Sequence, residues 1–192
     1  VFTVQWARFM TGWGQVVAIE AQERIFYALA GNIAINNCFN AKAIHAALAD
    51  KQGVMRIPVP NYNAPASFGS LELMPSKDNE PIGQDINYSD AATVAIQTVA
   101  IDALNPSRMD LLKIDVERME LLVLEGARQS IARHRPIIVV ERIKAPEQTL
   151  DDVLAGHGYR RFQAGGNILA VHESDPVLAH IRVGGDDPIA TG

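Results

Sequence analysis

The stretch Leu-Leu-Lys-Ile-Asp-Val-Glu-Arg-Met-Glu, residues 111–120, carries the clearest fold signal in the sequence. It begins as a β-rich run that ends in Asp115. An apolar residue then recurs every four positions, at Met119, Val123, Ala127 and Ile131. Such spacing is typical of the buried face of a helix. The stretch therefore predicts a strand over residues 110–115 followed by a helix, which is the repeating unit of an α/β fold.

The same alternation of β-rich runs and helical patterns extends outward in both directions. It predicts further strands at residues 16–20, 41–48, 54–59, 93–101 and 136–141. It also predicts helices at residues 1–10, 21–36 and 149–155, and a closing antiparallel hairpin that joins residues 159–162 to 168–172. Because parallel strands need helical crossovers, this order predicts an α/β fold with a mostly parallel sheet.

One segment breaks the alternation. Residues 60–89 are rich in Pro, Asn, Ser and Asp, which predicts a long irregular insertion. Loops of this length are usually functional or disordered. Its aromatic residues, Tyr62, Phe68 and Tyr88, could cover a bound acceptor, or the segment could be a disordered connection.

Composition limits the classes of function. The 192 residues carry 17 basic and 22 acidic side chains, a net charge of −5 with no dense basic stripe, which argues against a nucleic-acid partner. A single cysteine, Cys38, excludes an internal disulfide and a paired-cysteine metal site, and the scattered histidines argue against a histidine-based metal site. No apolar run reaches the roughly 18 residues of a membrane span. A cytoplasmic protein is therefore expected.

Carboxylates end three of the predicted strands, at Glu20, Asp115 and Glu141. Ligands of open α/β sheets bind outside the carboxyl ends of the strands, so these acids could share one crevice. One carboxylate can accept hydrogen bonds from both hydroxyls of a ribose, and Glu20, which ends a strand and precedes a helix, fits that role. Asp115 and Glu141 could orient a hydroxyl, act as a general base or hold a divalent ion.

Simpler alternatives exist for the acidic residues. Glu20 could be a solvated strand end. Glu117 and Glu120 could favour a helix only through the dipole at its N-terminus. The occurrence of a carboxylate at three strand ends favours the functional interpretation of Glu20.

Residues 111–120, with Val123–Ala127 and residues 135–141 (RPIIVVE), resemble the FkbM family of S-adenosylmethionine-dependent methyltransferases. Residues 17–20 and the helical pattern after them are similar to that family's second strand and following helix, and residues 167–172 resemble its final hairpin. The resemblance covers nearly the whole chain as far as His172. It implies a class I methyltransferase sheet, Rossmann-like, with helices on both faces. It also implies transfer of a methyl group, usually to an oxygen.

The resemblance implies roles for individual residues. The residues expected to bind S-adenosylmethionine are Glu20, Ala21, Ala47, Leu48 and Asp115. Among them, Glu20 is the expected ribose ligand, and Ala47 and Leu48 are expected to flank the adenine. Those expected to be catalytic are Asp115, Glu117 and Glu141. Those expected to contact the substrate, a small molecule or carbohydrate, are His172 and Asn167.

Two departures from the family pattern stand out. Arg118 occupies a position where the family usually has Gly, a residue used where the backbone turns unusually or approaches a ligand. The family's first strand and glycine-rich cofactor loop are not found before residue 12. We therefore expect residues 1–175 to be a partial, N-terminally truncated methyltransferase domain and residues 176–192 a peripheral tail. The alternatives are a truncated or degenerate non-catalytic Rossmann-like domain, or a nucleotide-dependent oxidoreductase that also uses Glu20.

Overall fold

The computed structural model of the protein describes residues 2–141 and 147–182. Within these ranges the helices are α1 (Phe2–Phe9), α2 (Glu23–Ile35), α3 (Ile101–Leu104), α4 (Glu120–Gly126), α5 (Arg128–His134) and α6 (Glu147–Gly156). The strands are β1 (Val16–Glu20), β2 (Ala41–His45), β3 (Ala47–Leu48), β4 (Gly53–Pro58), β5 (Thr93–Val99), β6 (Leu111–Ile114), β7 (Ile137–Glu141), β8 (Tyr159–Ala164) and β9 (Asn167–His172). Each predicted strand and helix therefore has a counterpart, although the single strand predicted over residues 41–48 is divided at Ala46 into β2 and β3.

The strands form three hydrogen-bonded sheets, in the orders β1-β2, β3-β5-β4 and β6-β7-β9-β8. The pairs β1-β2, β3-β5 and β6-β7 are parallel, whereas β4-β5, β7-β9 and β8-β9 are antiparallel. The α/β class and the closing hairpin are thus confirmed. The sheets are mixed rather than mostly parallel, because β4 pairs in reverse with β5 and β9 returns along β7.

The described residues belong to two compact units. The first unit comprises residues up to 48, residues 52–68 and 73–99, and the second comprises residues 49–51, 69–72 and those from 100 onward. Residues 60–89 contain no strand and no helix beyond a 3-10 turn at Phe68–Ser70, which confirms the irregular insertion. The predicted domain end at residue 175 stays a prediction, and residues 183–192 of the predicted tail lie outside the described residues.

In the first unit, α1 packs on the sheet through a small apolar core. Ala7, Val16 and Cys38 are buried there, with Trp6 and Met10 packed against them. The side chain of Asn40 donates to the carbonyl oxygens of Ala7 and Gly14, each at 2.9 Å, and so joins the ends of the surrounding segments. Cys38 is buried, in agreement with a thiol that serves packing.

The second unit has the larger core. The predicted helical stripe is almost fully buried, with exposed fractions of 2% or less at Met119, Val123, Ala127 and Ile131. The strands of this unit also bury residues, among them Ile114, Ile138, Val140 and Ile168. The stripe is carried by two helices, because α4 ends at Gly126 and α5 begins at Arg128. Among the described residues, no helix is long and apolar enough to cross a membrane.

Candidate functional site

Glu20 ends β1 with its carboxylate held by the backbone that follows. The N–H of Gln22 donates to Oε1 of Glu20 at 2.7 Å. Burial raises the pKa of Glu20, while hydrogen bonds from the N–H groups of Gln22 and Ala21 and the nearby His45 act in the opposite direction. His45 lies beside Glu20 in the parallel register of β1 and β2. The carboxylate of Glu20 is thus a half-buried hydrogen-bond acceptor, held in a fixed orientation at the end of β1.

The other predicted cofactor residues of the first unit lie close to Glu20. The N–H of Ala46 donates to the carbonyl oxygen of Glu20 at 3.2 Å, which brings the start of β3 beside the end of β1. Ala47 is 2% exposed, whereas Leu48 is half-buried. Glu20, Ala21, Ala47 and Leu48 are called the ribose region below. Of the two residues expected beside the adenine, Leu48 offers the larger accessible surface.

Asp115, Glu117 and Glu141 come together in the second unit and are called the acidic cluster below. One carboxylate oxygen from each lies within 4.8 Å of the others. Nζ of Lys113 forms an ion pair with Asp115. Asn167 on β9 stands opposite Glu141 on β7 in the antiparallel register. The strand ends of β6 and β7 and the start of β9 therefore converge as the sequence indicated.

Such a cluster has two chemical uses. Carboxylate oxygens are the ligands that hard divalent cations prefer. A carboxylate can also act as a general base that accepts a proton from a hydroxyl within hydrogen-bond reach. Lys113 offsets part of the negative charge at Asp115.

The turn after β6, which carries Asp115 and Glu117, has an unusual backbone. Glu117 has φ of 50° and Arg118 has φ of 75°, so two consecutive non-glycine residues are left-handed. Nε of Arg118 lies 2.9 Å from Oε2 of Glu72, whose side chain is 1% exposed. The N–H of Arg118 donates to Oε1 of the buried Glu120 at 3.1 Å, so Glu120 holds the turn before α4, and the dipole role stays a prediction.

Comparison with known proteins identifies the family. The methyltransferase FkbM domain matches residues 2–161, most of the chain. The chain belongs to the FkbM methyltransferase domain family. No curated protein matches it.

A solved structure shows the same fold. It is the crystal structure of methyltransferase FkbM from Methylobacillus flagellatus KT, which superposes with a TM-score of 0.57 at 13% sequence identity. The match covers 88% of this chain and 41% of the other, so the chain spans about two fifths of the length of that protein. At this identity the likeness concerns the fold alone.

Arg118 has a φ of 75°, a conformation that glycine adopts without steric cost, and glycine is the residue that the resemblance led us to expect at this position. The left-handed region costs an ordinary residue roughly 1 kcal/mol or more. The contact with buried Glu72 offsets that cost, because a buried carboxylate needs a counter-charge.

His172, unlike Asn167, is not brought to the acidic cluster. It ends β9 and pairs with Tyr159, while Asn167 begins the same strand and pairs with Glu141. The five intervening steps, at about 3.3 Å each, place the two residues at opposite ends of the strand. His172 instead has Nδ1 2.8 Å from Oγ of Ser174 and its ring 5.4 Å from the Tyr159 ring.

Sequence reasoning missed Gln22. Gln22 is only 6% exposed, and its side chain forms hydrogen bonds with two residues of the 60–89 insertion, Tyr62 and Phe68. A glutamine at the start of a predicted amphipathic helix carries no signal of burial by itself. Its position two residues after a strand-ending acid is the one signal that could have drawn attention to it.

Proposed function

We propose that this FkbM-family domain transfers a methyl group from S-adenosylmethionine to a hydroxyl of a small-molecule or saccharide acceptor. Family membership supports the methyl transfer. The observation that carries the dependence on S-adenosylmethionine is the carboxylate of Glu20, held at the end of β1 by the N–H of Gln22. A carboxylate oriented in this way suits the two hydroxyls of a ribose.

The ribose region has the chemistry that an adenosyl group needs. Glu20 would accept hydrogen bonds from the ribose hydroxyls, and the half-buried Leu48 offers apolar surface to the adenine, with the buried Ala47 behind it in the same strand. The raised pKa of Glu20 comes chiefly from burial, and a water-poor setting strengthens each hydrogen bond to its carboxylate. When bound, S-adenosylmethionine supplies a methyl group on a positively charged sulfur.

The acidic cluster is proposed to bind the methyl acceptor and to take the proton from its hydroxyl. Methyl transfer is an in-line displacement in which proximity and orientation do most of the work. A base is needed where the acceptor hydroxyl must lose its proton, and Asp115, Glu117 and Glu141 are candidates for that base. The amide of Asn167, opposite Glu141, can donate to or accept from an acceptor hydroxyl. Asp115 also stays a proposed cofactor contact.

Equilibrium binding tests this function. S-Adenosylhomocysteine and NAD are titrated separately into the wild type, Glu20→Ala and Glu23→Ala. Glu23 is the matched control, because it is the exposed glutamate that starts α2. Leaving buried polar partners unpaired costs about 1–3 kcal/mol, so Glu20→Ala should bind S-adenosylhomocysteine roughly 5- to 150-fold more weakly while Glu23→Ala binds as the wild type does.

Three outcomes contradict the proposal. The wild type shows no response to S-adenosylhomocysteine, or Glu20→Ala binds it normally, or Glu23→Ala is impaired as much as Glu20→Ala. Tighter binding of NAD than of S-adenosylhomocysteine would favour a nucleotide-dependent oxidoreductase. A chain that binds neither would favour a non-catalytic domain.

A further inference from the structure

Two aromatic side chains of the insertion meet in the first unit. The rings of Tyr62 and Phe68 lie 4.9 Å apart, centroid to centroid, at 40° to each other. Both side chains are half-buried, so part of each ring surface stays accessible. Aromatic surface of this kind is the usual contact for a planar base, since every base has a face that can stack on a ring.

Gln22 joins this aromatic pair to the ribose region. Its side-chain Nε2 donates to the carbonyl oxygen of Phe68 at 2.8 Å, and its Oε1 accepts from the Tyr62 hydroxyl at 3.1 Å. Its backbone N–H holds the carboxylate of Glu20 at 2.7 Å. A buried amide must keep its partners or lose their hydrogen-bond energy, so Gln22 places Tyr62 and Phe68 at a defined position relative to Glu20.

Polar groups surround Tyr62. Burial raises the pKa of Tyr62, and the charge of Glu20 raises it further, so the phenol stays protonated and keeps the hydrogen bond that it donates to Gln22. An open depression beside it is lined by Arg24, Pro60, Asn61, Tyr62 and Asn63.

We propose that Tyr62 and Phe68 belong to the adenosyl-binding site, where their rings contact the nucleoside whose ribose Glu20 holds. Gln22 is a positioning residue, which acts through Glu20 and through these two rings. This inference rests on the proposed function, because it names further residues of the same cofactor site. It makes the first part of the insertion a component of cofactor binding and not a cover for the acceptor.

The test compares ring loss with hydroxyl loss. Tyr62→Leu removes the ring, Tyr62→Phe removes only the bond to Gln22, and Tyr27→Leu is the matched control on α2, where Tyr27 is 55% exposed. Stacking on an aromatic side chain is worth about 1–3 kcal/mol per base, so Tyr62→Leu should weaken binding of S-adenosylhomocysteine by about 5- to 150-fold. Tyr62→Phe should weaken it less, and Tyr27→Leu should not change it. Dispersed amide spectra check that each variant folds.

The outcomes separate this inference from the function on which it rests. If Glu20→Ala weakens binding and Tyr62→Leu does not, the inference is wrong and the proposed function stands. If the wild type binds no S-adenosylhomocysteine, or Glu20→Ala binds it normally, both are contradicted. If Tyr62→Leu loses the ligand only through misfolding, Tyr62→Phe and Phe68→Leu decide, and normal binding by both overturns the inference.

Positioning by Gln22 has its own readout. Gln22→Ala removes the bonds to Tyr62 and Phe68 but keeps the backbone N–H on Glu20. It should therefore weaken S-adenosylhomocysteine binding and also raise amide hydrogen exchange at residues 62–68, while exchange in the β8–β9 hairpin stays unchanged. Gln22→Glu, which keeps the length and one acceptor for the Tyr62 hydroxyl, should lie between Gln22→Ala and the wild type. Unchanged exchange at residues 62–68 in Gln22→Ala would contradict the positioning role.

Discussion

Nε of Arg118 lies 2.9 Å from Oε2 of Glu72, and the Glu72 side chain is 1% exposed. The pair joins the turn after β6 to the segment at residues 69–72, both in the second unit. Removing one partner of a buried ion pair is costly because the other charge is left without compensation. The left-handed backbone at Arg118, with a φ of 75°, works against the stability that the ion pair provides.

Arg118 variants should therefore fall in a defined order of stability. Arg118→Met loses the ion pair and keeps the left-handed cost, so its free energy of unfolding should fall by about 3 kcal/mol. Arg118→Gly also loses the pair but regains roughly 1 kcal/mol of backbone strain, so it should be the more stable of the two. Urea denaturation measures both. Glu72→Gln combined with Arg118→Met should recover part of the loss, and an Arg118→Met variant as stable as the wild type would refute the role of the pair.

Two helical glycines should respond oppositely to alanine. A Cβ at Gly126 would stand 2.1 Å from the carbonyl oxygen of Ala49, closer than atoms can approach. A Cβ at Gly31 in α2 would meet no atom within 4 Å. Gly126→Ala should therefore cost several kcal/mol or prevent folding, as severe overpacking does. Gly31→Ala should raise the free energy of unfolding by about 0.5–1 kcal/mol. Equal effects of the two substitutions on thermal unfolding would contradict this placement of α4.

The raised pKa of Glu20 predicts how the free energy of unfolding depends on pH. Burial raises the folded-state pKa above the usual value of about 4.3, so the folded chain holds a proton that the unfolded chain has released. Between these two pKa values the contribution of Glu20 to stability falls as pH rises, and above both it stays at its low value. Glu20→Gln removes this titration, so its stability relative to the wild type should increase over that interval. Urea denaturation series at several pH values test the sign, and a constant difference between the two proteins would count against burial of Glu20.

The acidic cluster should affect turnover and not cofactor affinity. If Asp115 or Glu141 accepts the acceptor proton, Asp115→Asn or Glu141→Gln should lower kcat by roughly 10²–10⁴-fold, the range for a lost general base. Affinity for S-adenosylhomocysteine should stay within a few-fold after Glu141→Gln. Steady-state kinetics with an acceptor that carries a free hydroxyl measure the first effect. Near-normal turnover in both variants would contradict a catalytic role and would favour solvated acids at the strand ends.

Local patterns were enough to predict most elements of the fold. The four-residue stripe from Met119 to Ile131 is buried as expected, because burial of one helix face follows from spacing alone. The break at Ala127 was not predicted, since it accompanies a close approach of Gly126 to Ala49 that lies far away in the sequence. The reversed pairing of β4 with β5 depends on which strand it meets after residue 52, and strand composition does not encode direction.

The candidate site was predictable where it depends on strand ends. Asp115 and Glu141 meet because the parallel strands β6 and β7 finish at the same edge. His172 was grouped with Asn167 because both lie on the closing strand, but hairpin register separates them. The sequence offered no signal for Glu72 and only one for Gln22, its position after Glu20, because each is a buried polar residue whose partner comes from a distant segment.

The backbone amide of Gln22 donates to the carboxylate that is proposed to hold the ribose of S-adenosylmethionine, so it reports directly on ligand binding at Glu20. The nitrogen-15-labelled wild type and Glu20→Ala are each titrated with S-adenosylhomocysteine, and their amide spectra are recorded. If Glu20 holds the ribose, the Gln22 signal should be among those that shift most in the wild type, and this shift should be lost in Glu20→Ala. A Gln22 signal that stays in place at ligand excess, or that shifts equally in both proteins, would contradict it.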